Sequence, residues 1–430
     1  MTQPLQLESL EQLGWRFGLE TIQVLLAELG NPQNSLRVVH VAGSNGKGST
    51  CAFMASFLKC AGYKTGLYTS PHLSDIRERF RVNGTWISQS DFNRHTRLVL
   101  EACRRVEKKM GHLPTHFEAL TAIAFCWFEE QKVDWLALEV GLGGRLDATN
   151  AVPPPALCLI APIGLEHQNI LGKTLGKIAW EKAGILKEGC LAATVQPHQE
   201  AARRIDRTAR EKRASLWLGG RDFHFRKTSR GFHWEGPGFK GDIQLAGFPE
   251  YQIANAALAL AGVQLLKARG VDAKQRLVRE SFSAMRWPGR VEVVRQKPLV
   301  VLDGAHNPDA AGVLLSSVKG LFPKKRWIVL NGFLKDKDYP ASTRILAPLA
   351  SLAIATEPAS ERAEKGVNVF KAWERAGVRS LVIRDWRKAL GLALRKLSME
   401  PHAGLLVTGS LYLVGDCRKC LVGLKGLKTL

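Results

Sequence analysis

Apolar residues are distributed along this chain in two ways. Leu36 to Val41, residues 64–69, Trp135 to Val140 and Ala156 to Ile163 are short, nearly continuous apolar runs bounded by Gly, Pro or polar residues. Runs of that kind read as strands buried on both faces. Between them the apolar positions recur every third or fourth residue. Residues 6–30, with Leu10, Leu13, Phe17, Leu19, Ile22, Leu25 and Leu29, predict one or two helices. Cys51 to Ala61, residues 91–110 and residues 117–131 predict further helices. Strands alternating with helices make an α/β fold with a mostly parallel sheet and helices on both faces. Residues 215–247 differ. Alternation at Phe223, Phe225, Phe232 and Trp234, among glycines, predicts a small antiparallel sheet. Helical spacing returns at 250–269. The segment Arg286-Trp287-Pro288-Gly289-Arg290 predicts a linker between domains 1–287 and 288–430. A smaller, Rossmann-like α/β series follows, with strands at Leu299 to Asp303, Trp327 to Leu330, Leu352 to Thr356, Ser380 to Ile383 and Leu405 to Thr408.

Composition narrows the class. The chain has 430 residues, 45% hydrophobic and 23% charged, an ordinary soluble balance. No apolar run approaches the ~20 residues that span a membrane, and Met1 to Glu20 lacks the basic and apolar blocks of a signal peptide. Cys51, Cys60, Cys126 and Cys158 sit in apolar segments and are expected to be buried. Cys417 and Cys420 form a lone pair without a second pair, which argues against zinc. These features predict a reducing, cytoplasmic setting. The net charge of +22 permits polyanionic partners. Arg203 to Arg230 holds ten Lys/Arg against three Asp/Glu, read as a solvated helix face and charged hairpins. No aromatic platform or reading helix accompanies it, so nucleic acid is not the expected partner.

The chemistry concentrates where strands end. After Leu36 to Val41 comes Gly43-Ser44-Asn45-Gly46-Lys47-Gly48-Ser49, followed by a helix. Strand, glycine loop and helix make a phosphate cradle. Backbone N–H groups face the anion, Lys47 adds a cation, and Ser49 can reach a bound Mg²⁺. The spacing departs from the common P-loop, because Gly48 separates Lys47 from Ser49. Glu139 ends a strand and opens a glycine-rich run to Asn150, a suitable place for a Mg²⁺ ligand beside phosphates. Ser70 and His167 also follow strands. Residues 178–187 read as an amphipathic helix. Small neighbours suggest close packing at Lys182 without making it functional. In the second series, Asp303 is placed to accept from a ribose or ammonium group. His306 and Asn307 are placed to donate to a carboxylate, with a plain Asx/Pro turn as the competing reading. Ser410 follows the last strand in the same manner.

Together these stretches resemble the folylpolyglutamate synthase/dihydrofolate synthase branch of the Mur ligase family. The motifs run in order along nearly the whole chain: the loop at 43–49, Ser70-Pro71-His72-Leu73, Thr115-His116-Phe117-Glu118, Glu139 to Asn150, Ile163 to His167, Glu181-Lys182-Ala183-Gly184-Ile185, Pro288-Gly289-Arg290, Asp303 to Pro308, and Thr408 to Tyr412. The resemblance implies that ATP phosphorylates a folate-type carboxylate and that the amine of L-glutamate displaces the phosphate. It implies Gly43, Asn45, Gly46, Lys47, Gly48 and Ser49 on the ATP phosphates, with Asn255, Arg290 and Asp303 as further ATP contacts. Ser70, Glu139 and His167 would ligate Mg²⁺, with two ions expected and a monovalent cation such as K⁺ as a further ion. Lys182 matches a carbamylated lysine that would hold the second Mg²⁺. Leu19, Glu20, Thr115, His116, Phe117, Glu118, Leu146, Asp147 and Ala148 match the pterin site. His306 is a candidate catalytic residue and Ser410 a candidate substrate contact on the glutamate or phosphate side. Ser44, Glu166 and Trp180 depart from the family pattern, the last expected to alter packing beside Lys182.

The expected partners are ATP, glutamate and a folate or dihydropteroate, handled by a monomer away from membranes. Two other readings compete. A Mur-type ligase of cell-wall precursors would carry a UDP-binding domain, yet 42 residues precede Gly43. A nucleic-acid-binding P-loop ATPase would account for the charge. Between dihydrofolate synthesis and chain extension the residues do not choose; the 115–118 match leans toward both.

Overall fold

The computed structural model describes residues 5–14, 16–196, 198–245, 248–400 and 402–426. The chain divides into two compact units. One comprises residues 1–71, 77–246 and 252–285, the other 72–76, 247–251 and 286–430. Residues 246 and 247, at the end of the expected antiparallel block, lie outside the described residues.

The first unit is built on an eight-stranded sheet. Its strands are β1 (Val38–Ala42), β2 (Thr65–Tyr68), β3 (Phe80–Val82), β4 (Thr85–Trp86), β5 (Trp135–Glu139), β6 (Leu157–Ile160), β7 (Leu191–Thr194) and β8 (Ser215–Leu218), in the order β4-β3-β2-β5-β1-β6-β7-β8. The inner strands pair in parallel, and only the β2-β3-β4 edge is antiparallel. β1, β2, β5 and β6 are buried at every position, which is why each is apolar without alternation. The helices are α1 (Glu20–Glu28), α2 (Lys47–Cys60), α3 (Gln89–Met110), α4 (His116–Glu130), α5 (Gln168–Leu171), α6 (Leu175–Ala183), α7 (Gln199–Glu211), α8 (Tyr251–Leu266) and α9 (Gln275–Ala284). One sheet face buries Ala42, Cys158 and Ile160 against Ile178 and Ala183 of α6 and Ile205 of α7. A separate antiparallel sheet follows, with β9 (His224–Thr228), β10 (Gly231–Gly236) and β11 (Phe239–Gln244). Its core is the stacked pair Phe223 and Trp234, with ring centroids 5.6 Å apart.

Three expectations need correction. Ser215–Leu218 lies in the antiparallel block by composition, yet it pairs in parallel with β7 as the edge of the main sheet. Its Ser-Leu-Trp-Leu run is itself apolar, but it stands directly before the glycine- and charge-rich hairpins and so reads as part of them. Cys60 is exposed, because the last turn of α2 carries it on the solvent side. Leu13 and Phe17 also leave the expected core stripe, being 44% and 51% exposed.

The second unit holds a six-stranded sheet: β12 (Glu292–Gln296), β13 (Leu299–Leu302), β14 (Arg326–Asn331), β15 (Ala350–Glu357), β16 (Ser380–Asp385) and β17 (Ala403–Thr408), ordered β12-β13-β17-β14-β15-β16. All pairs are parallel except β12 with β13. Val301 and Val329 face a core shared with α10 (Pro308–Leu321), α11 (Tyr339–Leu346) and α12 (Gly366–Arg375). Their neighbours Val300, Leu302, Ile328 and Leu330 face α13 (Trp386–Met399) and α14 (Leu411–Gly426). Each strand therefore feeds two cores, and the carboxyl ends of β13, β14 and β17 lie side by side.

Candidate active site

The phosphate loop joins β1 to α2. Gly46 holds the N-cap of α2 at φ 88° and no side chain caps the helix. A Cβ at Gly46 would stand 2.0 Å from Asn255 Oδ1, so only glycine fits, by conformation and by space. The side chains below the loop are ordered in sequence. Asn255 Nδ2 donates to Gln252 Oε1 at 2.9 Å, and Gln252 Nε2 donates to the buried Ser49 Oγ at 3.1 Å. Asn255 thus braces the loop through Gln252, a residue not singled out from sequence. Ser44 and Asn45 donate their N–H groups to Pro162 O, and Ser44 Oγ donates to Gly164 O at 3.0 Å. Asn45 is exposed, and Gly48 and Lys47 are half-buried. Lys47 Nζ reaches back to Ser44 O at 3.3 Å. Gly43, Gly46, Lys47, Gly48 and Ser49 therefore surround an uncapped helix start, where N–H groups and dipole favour an anion.

β5 runs beside β1, with Glu139 in register with Val41. Ser70, after β2, donates its N–H to Glu139 Oε2 at 2.9 Å. The structure thereby brings together two of the three residues expected to ligate metal. The third, His167, is exposed at φ 45° on the turn into α5. Among the described residues no three His, Cys, Asp or Glu gather. Oxygen donors supplied singly by Ser49, Ser70 and Glu139 suit Mg²⁺, which completes its shell with phosphate and water.

Lys182 is 1% exposed. Its Nζ donates to Gly43 O at 2.8 Å and to Glu166 Oε1 at 2.7 Å. Burial pulls its pKa down to about 8 against the opposing pull of Glu166. Burial pushes Glu166 up, but Lys182 and Lys47 outweigh it and hold the carboxyl at about 2. A lysine on the phosphate loop's own carbonyl is not the solvent-facing charge of a plain amphipathic helix. Trp180 is 39% exposed, and the Arg145 guanidinium lies 4.5 Å over its ring. Its bulk is taken up by that stacking at the surface.

The runs at 139–150 and 181–185 interlock. Arg145 donates its N–H to Glu181 O at 2.8 Å and pairs with the Glu181 carboxylate at 3.0 Å. Asn150 Nδ2 donates to Arg145 O and Gly184 O at 3.0 and 3.1 Å. A Cβ at Gly184 would meet Arg145 Cβ at 2.3 Å.

A small cleft beside this clasp is lined by Phe17, Thr115, Phe117, Leu142, Leu146, Asp147 and Ala148, with Arg16, Gly18 and Glu118 at its sides. Several of the expected substrate residues thus share one cleft. Their polar groups are largely engaged. Thr115 N–H and Oγ1–H both donate to Glu118 Oε2 at 2.8 Å in a capping box that starts α4. Burial raises the Glu118 carboxyl. Asp147 accepts from Leu142 N–H at 2.8 Å and Thr149 N–H at 3.0 Å, and burial raises its pKa as well. Phe117 lies against the backbone of Gly141. His116 is half-buried, its pKa lowered to about 4 by burial and then by Arg79. Leu19 precedes α1, and Glu20 opens it, exposed. Phe17 and Arg16 were missed as cleft residues, since Phe17 fits the helical stripe. Its aromatic bulk before a glycine was the available signal.

In the second unit the strand-end residues cap and brace. Asp303 accepts from Val291 N–H and Ala305 N–H, both at 2.8 Å, and from Tyr251 O–H at 3.4 Å. Burial raises its pKa, although Arg290 opposes the rise. Arg290 Nη1 donates to Gly289 O at 3.2 Å. His306 Nδ1 lies 2.8 Å from Gly304 O. Asn307 Oδ1 caps α10 through Ala310 N–H, and Ser410 Oγ accepts from Leu413 N–H in the first turn of α14.

Known proteins share this architecture. The family described as Mur ligase, glutamate ligase domain matches residues 289–411. The dihydrofolate synthase/folylpolyglutamate synthase of Bacillus subtilis is 33% identical over 428 residues, covering 95% of this chain and 96% of that protein. Mycobacterium tuberculosis folylpolyglutamate synthase, solved with ADP and AMPPCP, matches with a TM-score of 0.89 at 30% identity, over 97% of this chain and 98% of that one. Escherichia coli FolC, solved with DHPP and ADP, matches at 0.87 and 29% identity, over 98% and 99%.

Proposed function

Because the chain belongs to the folylpolyglutamate synthase/dihydrofolate synthase family of Mur ligases, we propose that it is an ATP-dependent ligase joining L-glutamate to a folate-type carboxylate. Relatives bearing both activities support dihydropteroate and reduced folates alike as acceptors. In this reading the domain at 288–430 carries the glutamate-ligase part, in keeping with the family match at 289–411. The chain acts as a cytoplasmic monomer on small molecules; no helix among its described residues is long and apolar enough to cross a membrane.

The observation that carries the reading is the uncapped N-terminus of α2, with Lys182 fixed to the loop carbonyl behind it. The loop N–H groups hold the ATP phosphates, and Lys47 draws charge off them as the γ-phosphoryl passes to the acceptor carboxylate. The resulting acyl phosphate is attacked by the amine of glutamate, and phosphate leaves as the amide closes. Ser49, Ser70, Glu139 and His167 are proposed to hold Mg²⁺, which when bound neutralises the crowded oxygens. Lys182, whose amine loses its proton near pH 8, is suited to add CO₂. That step forms a C–N bond, releases a proton and leaves an anion where a cation stood. Arg290 and Asp303 are proposed nucleotide contacts, His306 and Ser410 contacts on the glutamate or phosphate side, and K⁺ a further ion.

Phosphate release from ATP tests the proposal. The expected result is release with dihydropteroate or tetrahydrofolate that requires glutamate. Release stimulated by DNA or RNA alone would overturn it. Product analysis with each acceptor then separates first addition from chain extension.

A further inference from the structure

His40 is fully buried in β1, just before the phosphate loop, between the apolar Val39 and Val41. Its Nε2 lies 2.9 Å from Thr149 Oγ1, and Thr149 Oγ1 donates to Asp147 Oδ1 at 2.5 Å. A hydroxyl has one proton to give. Since it goes to the carboxylate, the threonine oxygen must accept from His40, which fixes the imidazole as the Nε2–H tautomer. The other ring nitrogen, Nδ1, is buried without a hydrogen-bond partner. An unpaired buried polar atom costs on the order of 1–3 kcal/mol, which an aliphatic residue would avoid. The histidine is therefore explained by its Nε2–H, not by packing.

The relay ends on the cleft wall. Asp147 stands between Leu146 and Ala148 and belongs with them, Thr115 and Phe117 to the lining of that cleft. Asp147 also accepts from the backbone N–H groups of Leu142, Thr149 and Gly141. The far side of the same segment is held by Lys187 Nζ, which donates to Asn150 O at 2.9 Å. We infer that His40 and Thr149 are positioning residues, setting the Asp147 carboxylate and tying the acceptor cleft to the strand that carries the phosphate loop. This rests on the reading of that cleft as the acceptor site.

Steady-state kinetics of the full chain with dihydropteroate, ATP and glutamate tests it, using His40→Phe, Thr149→Val and Thr149→Ser. Removing the relay in His40→Phe or Thr149→Val is expected to raise KM for dihydropteroate about tenfold, the effect of one buried hydrogen bond, with KM for ATP within about twofold. Thr149→Ser, which keeps the hydroxyl, restores the acceptor KM. The double variant His40→Phe with Thr149→Val is no worse than either single one, because both cut one chain. A threonine variant keeps the test open if the histidine variant fails to fold. Unchanged acceptor KM in both variants, equal rises for ATP and acceptor, or additive effects in the double variant would overturn the inference. An unmodified chain without glutamate-dependent turnover would remove the proposed function and this inference together.

Discussion

Helices α2, α10 and α14 all start just past the carboxyl end of a parallel strand, but they treat their first turn differently. In the second unit Asn307 caps α10 and Ser410 stands just before α14, each accepting a backbone N–H of the first turn on its side-chain oxygen. In the first unit Gly46 occupies the same place and lends nothing. A capped start satisfies its own donors, whereas a glycine start leaves them for a ligand. Polar residues at a strand end therefore mean different things in the two units. Around β1 the loop leaves the helix donors uncapped; after β13 and β17 Asn307 and Ser410 satisfy theirs.

The sharpest way to break this contrast is at the lysine behind the open helix. Lys182→Ala should lower kcat by about a thousandfold, the upper range for removing a preorganised charge, and added acetate should restore part of it. An alanine variant with normal kcat would take the carbamate out of the mechanism. Next is Gly46→Ser, which gives α2 a capping oxygen like that of the second unit. The new Cβ would also press on Asn255 at 2.0 Å. A loss of about a hundredfold in kcat/KM for ATP is expected from closing the anion site. Near-normal ATP kinetics would mean that the open start is not the phosphate site.

Acid separates the units more gently. His40 has its pKa lowered from 6.5 to about 3 by burial, aided by Lys187. The unfolded chain therefore takes up a proton that the folded chain refuses. Stability from this group is complete above pH 6.5 and is lost as pH falls toward 3, at up to about 1.4 kcal/mol per pH unit. His40→Phe should flatten the acid limb of a Tm against pH curve in that window. Asp303, raised by burial, works in the opposite sense, since protonation favours its folded form. The smallest effect is expected from Asn307→Ala. Loss of the cap should cost about 1 kcal/mol in denaturant unfolding, with KM for ATP unmoved. A larger change in turnover than in stability would make Asn307 itself a ligand contact rather than a cap.

Much of the fold was legible because parallel strands buried on two faces carry no alternation to misread. Trp135 to Glu139 and Leu299 to Leu302 fall where their apolar runs stand. The edges were legible in part. The edge strand at Ser380–Asp385 falls where its apolar run stands, whereas Glu292–Gln296 mixes polar and apolar residues as a loop does and Ser215–Leu218 was masked by the charged block that follows it. At the site, the glycine loop announced itself by composition. The surroundings of Lys182 did not, because its burial depends on Gly43 and Glu166, distant in sequence. His40 was hidden for the converse reason. It sits inside an apolar run, and nothing along the chain says that Thr149 waits opposite.

The clasp between Arg145, Asn150, Glu181 and Gly184 has a consequence for anyone exchanging parts among such ligases. Residues 139–150 and 181–185 touch through backbone carbonyls and through a glycine with no room for a side chain. Neither run has its shape without the other. They behave as a single cassette split in sequence, to be transplanted together or not at all.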